Sequence, residues 1–77
     1  MKNPITFTSA PYFRSHMKQP RGYGLWAFEA DFGETSVMIW TPASMAYADA
    51  KKYARAEALK IAGANFWSGS IEIAAQP

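Results

Sequence analysis

Hydrophobic and polar residues alternate in two stretches near the ends of the chain, and such alternation predicts β-strands. Residues 4–8 begin with a proline and place Ile5 and Phe7 on one side, which favours a short strand at or near a sheet edge. Residues 66–75 alternate in the same way, and Gly69 is a candidate β-bulge. The large inward-facing residues of this second strand are Trp67, Ile71 and Ile73.

Between these stretches, residues 23–41 predict a β-hairpin with Gly33 and Glu34 as its two-residue turn. The register that follows pairs Phe32 with Thr35, Ala30 with Val37 and Phe28 with Ile39. The face directed at the core then carries Trp26, Phe28, Ala30 and Phe32. The other face is more apolar than a solvated sheet requires. We therefore predict a partner-binding surface there, formed by Leu25, Met38, Trp40, Glu29 and Asp31, unless the first strand or the following loop covers it.

After Pro42 the pattern changes to a helical period, which predicts a helix over 43–62 with Thr41 or Ser44 as its cap and Gly63 as its stop. Steps of 100° place one stripe toward the sheet, made of Ala43, Tyr47, Ala50, Ala54, Ala58 and Ile61. The outward side carries Lys51, Lys52 and Arg55. Small side chains on the stripe allow the helix to approach the sheet closely.

These elements predict the α+β fold class: a single small antiparallel or mixed β-sheet, in the order β-β-β-α-β, with one Ala-rich helix packed on one face. Because strand–helix–strand connections cross over in one hand, the strand after the helix is expected to run parallel to a hairpin strand. A chain of 77 residues has room for one domain, which we place over 1–77.

Residues 9–22 follow no period and contain two prolines and a glycine, so they predict a long loop. The loop interleaves aromatic and basic residues, as single-strand nucleic-acid sites do, and His16 is expected to be a solvated polar residue. Candidate contacts to nucleic acid or to an acidic partner are Tyr12, Arg14, Lys18 and Arg21 in the loop and Lys51, Lys52 and Arg55 on the helix. For the three helix residues, we favour the interpretation that they form a solvent-exposed helix face over a contact with nucleic acid.

The amino-acid composition excludes several kinds of catalytic and metal-binding site. The chain has no cysteine and one histidine, which excludes disulfides, cysteine-bound zinc, a thiol nucleophile and multi-histidine metal sites. No nucleophile, base and orienting group occur together, and Glu29 and Asp31 are expected to be solvated, so we predict no enzyme activity, no metal and no cofactor. No apolar run is long enough for a membrane span or a signal peptide, which predicts a soluble cytoplasmic protein without membrane contact.

Charge is segregated along the chain although the net value is only +2. Residues 1–21 carry four basic residues and no acid, and residues 22–50 carry four acids and no base. The remaining residues carry four bases and two acids, which gives +2. The molecule is therefore expected to be electrically two-sided, which favours oriented docking on a charged partner.

The predicted domain is Cys-free and combines the hairpin Tyr23–Trp40, the helix 46–62 with Ala-Lys-Lys-Tyr-Ala at 50–54, and the closing strand 70–73. In this outline it resembles the small accessory proteins of bacteriophages and mobile elements, including several anti-CRISPR proteins. The resemblance implies a non-catalytic inhibitor that occludes a surface of a larger host defence complex, itself a protein complex or a nucleic-acid-bound one. A homodimer is a further candidate. The alternative is a small single-stranded nucleic-acid-binding protein that uses loop 12–23 and the helix face.

Overall fold

The computed structural model describes residues 3–18 and 20–76, so Lys2, one of the basic residues counted above, lies outside the described residues. Along these residues the elements are β1 (Ile5–Thr8), α1 (Ala10–His16), β2 (Tyr23–Gly24), β3 (Ala27–Asp31), β4 (Ser36–Trp40), β5 (Met45–Ala46), α2 (Tyr47–Ala64) and β6 (Ile71–Ala75). A mixed four-stranded sheet has the order β1-β6-β3-β4, and β2 and β5 form a second, two-stranded sheet. The predicted α+β class is confirmed.

The hairpin register is also confirmed, because Phe28 pairs with Ile39 and Ala30 with Val37. β6 lies between β1 and β3, antiparallel to β3 and parallel to β1. It therefore runs in the same direction as β4, as the crossover argument expects, but β3 separates the two strands. The pairing of β1 with β6 was not predicted.

The core lies between α2 and one face of the four-stranded sheet. Four alanines of α2 are fully buried there, at spacings of four residues: Ala50, Ala54, Ala58 and Ala62. They meet the buried sheet residues Phe28, Ala30, Ile71 and Ile73. The predicted stripe is wrong at its start, because Ala43 is exposed and precedes the helix. Tyr47 and Ile61 are only partly buried beside the core.

α2 begins at Tyr47 rather than Ala43, because Met45 and Ala46 pair with Gly24 and Tyr23 before the helix starts. The Tyr47 N–H donates to the Gly22 carbonyl at 3.0 Å, so the chain entering the helix is held by backbone bonds. Neither predicted cap is used, since the N-cap is Ala46 and no side chain caps the helix.

The end of α2 also differs from the prediction. Gly63 lies inside the last turn, and the residue with a left-handed backbone is Phe66, at φ 57°. The Phe66 N–H donates to the Gly63 carbonyl and the Trp67 N–H to the Ala62 carbonyl, which is the hydrogen-bond pattern of a Schellman motif.

The last strand begins at Ile71, so the predicted strand over 66–75 is too long. Trp67 lies partly buried against the core, and its ring passes so close to Gly69 that a Cβ there would lie 2.5 Å from Cζ2 of the indole. Gly69 therefore gives the ring room in the turn before β6, and it is not a bulge within a strand.

The predicted loop over 9–22 contains the two-turn helix α1, so that prediction is wrong for residues 10–16. Pro11 favoured the loop prediction, but it lies in the first turn of the helix, where the N–H that proline lacks would have no partner within the helix. The helix ends at His16, and its C-cap, Met17, adopts a left-handed conformation and donates its N–H to the Phe13 carbonyl at 2.7 Å.

Candidate protein-binding surface

The face of the four-stranded sheet turned away from α2 is called the open face here. The alternation of β3 and β4 places Glu29, Asp31, Met38 and Trp40 on it, since their neighbours Phe28, Ala30 and Ile39 are buried under α2. α1 borders one end of this face. Leu25, Met38 and Trp40 are exposed, so neither β1 nor the described residues of the segment, 9–18 and 20–22, cover the predicted surface.

Three large hydrophobic side chains are exposed on or beside the open face. Leu25 is 71 % exposed, Trp40 66 % and Met38 40 %. Trp40 is paired across the strands with Ala27, whose small side chain does not shield the indole. Exposed aromatic and aliphatic residues grouped in this way are typical of protein contact surfaces.

Acidic side chains lie beside these hydrophobic ones. Asp31 is directly paired with Glu72 of β6, and Glu29 is paired with Met38. The Ser36 hydroxyl donates to Glu29 Oε2 at 2.9 Å, and the Gly33 N–H donates to Asp31 Oδ1 at 2.8 Å. Both carboxylates thus make local hydrogen bonds at the surface. Asp31 is exposed as predicted and Glu29 is partly buried, and together with Glu72 they make the open face negative.

A groove of about 550 Å³ adjoins the open face, between α1, β2 and the ends of β3 and β4. Its walls bring together side chains that the sequence analysis had assigned to separate surfaces. They include Tyr12, His16, Arg21, Tyr23, Leu25 and Trp40. Leu25 and Trp40 of the predicted partner surface thus share one concavity with Tyr12 and Arg21 of the predicted basic segment.

The His16 ring stacks on Tyr12, with centroids 4.1 Å apart and 26° between the planes. Tyr12 in turn lies 5.8 Å from the Trp26 ring, so the stack is fixed to the core. His16 therefore belongs to the groove wall. Its side chain is exposed, as predicted for a solvated residue, but it lies in α1 and not in a loop. The four-residue spacing to Tyr12 was the available signal, and it has meaning only once residues 10–16 form a helix.

The remaining basic candidates do not join this groove. Arg14 and Lys18 are exposed but do not line it, and Lys52 and Arg55 lie exposed on α2, on the other side of the sheet. Lys51 is not outward-facing as predicted: it is half-buried, with Nζ 5.7 Å from the Phe7 ring centroid and 5.5 Å from that of Tyr47.

Thr41 is a structural residue of the groove that the sequence analysis assigned to helix capping. Its hydroxyl accepts from the Trp26 N–H at 2.9 Å and donates to the Trp26 carbonyl at 3.2 Å, and the Thr41 N–H donates to the same carbonyl. The hairpin register already placed position 41 across from position 26. This pairing extends the hairpin beyond β3 and β4 and holds the strand that carries Trp40.

No protein-family model, curated protein or solved structure matches this chain. Within residues 3–18 and 20–76, neither helix has the length and hydrophobicity needed to cross a membrane. The same residues contain no group of three or more acidic, histidine or cysteine side chains placed to hold a metal ion.

Proposed function

We propose that this protein is a non-catalytic protein-binding module whose open face docks on a partner surface with an apolar pocket surrounded by basic residues. The observation that carries the proposal is the exposed Trp40 indole, beside Leu25 and Met38, on a sheet face that no other described element covers. Tryptophan is among the residues whose removal most weakens protein interfaces, because it buries a large rigid surface.

Charge supports a protein partner over nucleic acid. Glu29, Asp31 and Glu72 would repel phosphates from the open face, whereas they complement a basic rim on a protein. The cations of α2 lie on the opposite side of the sheet, so they add no positive charge to the open face.

The inhibitor expectation is a narrower form of this proposal. A small module that docks through one uncovered face can block a larger complex without chemistry of its own. The prediction that the blocked partner is a host defence complex comes from the anti-CRISPR resemblance, and partner identification is its test.

Capture from host lysate tests the proposal, with nuclease-treated and untreated samples and three forms of the protein. The wild-type chain is expected to retain a nuclease-resistant protein partner, and Trp40→Ala to weaken binding to that purified partner by about 2 kcal/mol, roughly thirty-fold. Phe66→Ala is the matched control, because Phe66 is 94 % exposed but lies in the turn after α2, away from the open face.

Trp40→Ala is expected to keep the wild-type circular dichroism spectrum and melting temperature. A variant that melts early would mean that Trp40 belongs to the core, where truncation costs about 3–5 kcal/mol. Equal loss of binding by Trp40→Ala and Phe66→Ala would also contradict a specific open-face contact.

The groove favours a second candidate, binding of single-stranded nucleic acid, because it places Arg21 among stacked aromatic rings. Under this alternative, Arg21→Ala is expected to reduce the magnitude of the negative slope of log K against log salt by about 1. Arg14→Ala is expected to weaken binding less than Arg21→Ala does, because Arg14 does not line the groove. Mobility shifts with single-stranded probes measure both. Absence of binding by the wild-type chain at about 50 mM salt removes this alternative.

A further inference from the structure

β4 forms one edge of the four-stranded sheet, and no described residue pairs with its outer side. Its sequence, Ser-Val-Met-Ile-Trp over 36–40, contains no charge, proline or glycine. Edge strands usually carry charged residues or prolines, because an edge without them pairs readily with another strand. This edge is unguarded and five residues long.

The hydrogen-bond pattern fixes which groups point outward from β4. In antiparallel pairs, hydrogen-bonded and non-hydrogen-bonded positions alternate. Two hydrogen-bonded pairs flank the strands: the Phe32 N–H donates to the Thr35 carbonyl at the turn, and the Thr41 N–H donates to the Trp26 carbonyl at the other end. By alternation between these two pairs, the odd-numbered residues of β4 bond to β3. The N–H and C=O groups of Ser36, Met38 and Trp40 therefore point to the free edge.

We propose that β4 pairs antiparallel with β4 of a second copy of this chain, with Met38 facing Met38 of the second copy on the two-fold axis. Ser36 then faces Trp40 of the other copy, and all three outward positions form hydrogen-bonded pairs. The register uses every outward N–H and C=O of the strand, and an isologous two-fold contact closes without leaving a free edge at the interface.

The strand is also self-complementary in charge and shape. No ionised group lies on β4, and methionine adapts to an identical neighbour better than a β-branched residue does. The nearest acids are the two Glu29 carboxylates, one strand further out in each copy. Three strand spacings of about 4.8 Å separate them by roughly 14 Å, beyond the screening length of about 8 Å in physiological salt.

Such a dimer joins two four-stranded sheets and makes their open faces continuous. The inference rests on the free edge of β4 and does not depend on the proposed partner. If that partner exists, it would meet two copies of Trp40 near the centre of one surface.

Cysteine cross-linking tests the register directly, because the chain has no cysteine of its own. In Met38→Cys, the two thiols lie on a hydrogen-bonded pair with Cα atoms about 5.5 Å apart, within disulfide range. In Ser36→Cys, the matched control, the two cysteines are offset by four residues, roughly 13 Å along the strand, too far for a disulfide. Mild oxidation and non-reducing electrophoresis should show a covalent dimer for Met38→Cys alone.

Sedimentation of the untagged chain over a range of concentrations measures the association itself. The wild-type chain is expected to dimerise, and Met38→Lys, which places two ammonium groups on the axis, to raise the dissociation constant at least ten-fold. Thr6→Lys, an equal charge change at an exposed site on β1 at the far edge, should leave the constant unchanged.

A wild-type chain that stays monomeric at about 100 μM would overturn the dimer, as would equal cross-linking of the two cysteine variants. Neither result contradicts the proposed function, because a monomer can still bind a partner through Trp40, and Trp40→Ala would still weaken that binding. Conversely, the wild-type chain could dimerise while its Trp40→Ala variant still captures every wild-type partner. That result would refute the proposed function and leave the dimer standing.

Discussion

The close approach of α2 to the sheet depends on alanine at position 54. Ala54 has no exposed surface, and Ala50 and Ala58 one turn away on either side are equally buried. Leucine adds three carbon atoms at a site where both the helix and the sheet beneath it are already packed. Overpacking of this kind costs about 1–3 kcal/mol, so Ala54→Leu is expected to lower the free energy of unfolding by that amount.

For a domain of this size, each kcal/mol corresponds to about 4–8 °C in Tm, so thermal melting followed by circular dichroism resolves the effect. Ala56→Leu is the matched control, because Ala56 is exposed on the same helix and leucine nearly equals alanine in helix propensity. We expect this control to change stability by less than about 0.5 kcal/mol. Equal melting temperatures for the two variants would refute the packing of α2 described above.

Three further changes test other parts of the structure. Thr41→Val removes the hydroxyl that accepts from the buried Trp26 N–H and should cost about 1–3 kcal/mol in urea unfolding, whereas Thr41→Ser should retain most of the stability. Phe66→Gly removes the left-handed strain of an exposed residue and should stabilise the chain by about 0.5–1 kcal/mol; a lower Tm would show that the Phe66 side chain contributes to folding. Burial raises the pKa of the Tyr47 phenol above its ordinary value of 10.0, so folding favours the neutral form. The resulting stability is present below pH 10 and is lost as pH rises through the folded-state pKa, and the Tyr47→Phe variant should lose less stability than the wild type over that range.

Most of the sheet was predictable because its signals are local. The Gly33–Glu34 turn fixes the hairpin register, and the register fixes which side of each strand faces the core. The alanine spacing of α2 identified Ala50, Ala54 and Ala58 for the same reason. The position of β6 between β1 and β3 was not predictable, since no local pattern reports which distant edge a strand joins.

The errors have local physical causes. Proline is common both in loops and in the first turn of a helix, so Pro11 alone could not distinguish the two, and α1 was not predicted. The start of α2 was misplaced because Met45 and Ala46 suit a helix, and only their pairing with Tyr23 and Gly24 holds them extended.

The candidate surface was predictable in part. Leu25, Met38 and Trp40 follow from the hairpin register, and all three are exposed, with Met38 and Trp40 on the open face and Leu25 beside it. The groove was not predictable, because it exists only where α1 meets the end of the sheet. Tyr12 and His16 line its wall because they lie one helical turn apart in α1, a segment that the sequence predicted to be a loop.

The parallel pairing of β1 with β6 has a consequence for the order in which the sheet can assemble during synthesis. Ile5 is paired with Ile71, sixty-six positions later, and the Ile71 N–H donates to the Pro4 carbonyl. A nascent chain can close the hairpin and wind α2 early, but β1 has no strand to join until residues 71–75 have left the ribosome. Contacts of such long sequence separation slow folding, because the entropy of closing the loop is lost before the contact stabilises anything. Until then, Ile5 and Phe7 remain on an unpaired segment, so β1 cannot enter the sheet before β6 has been made.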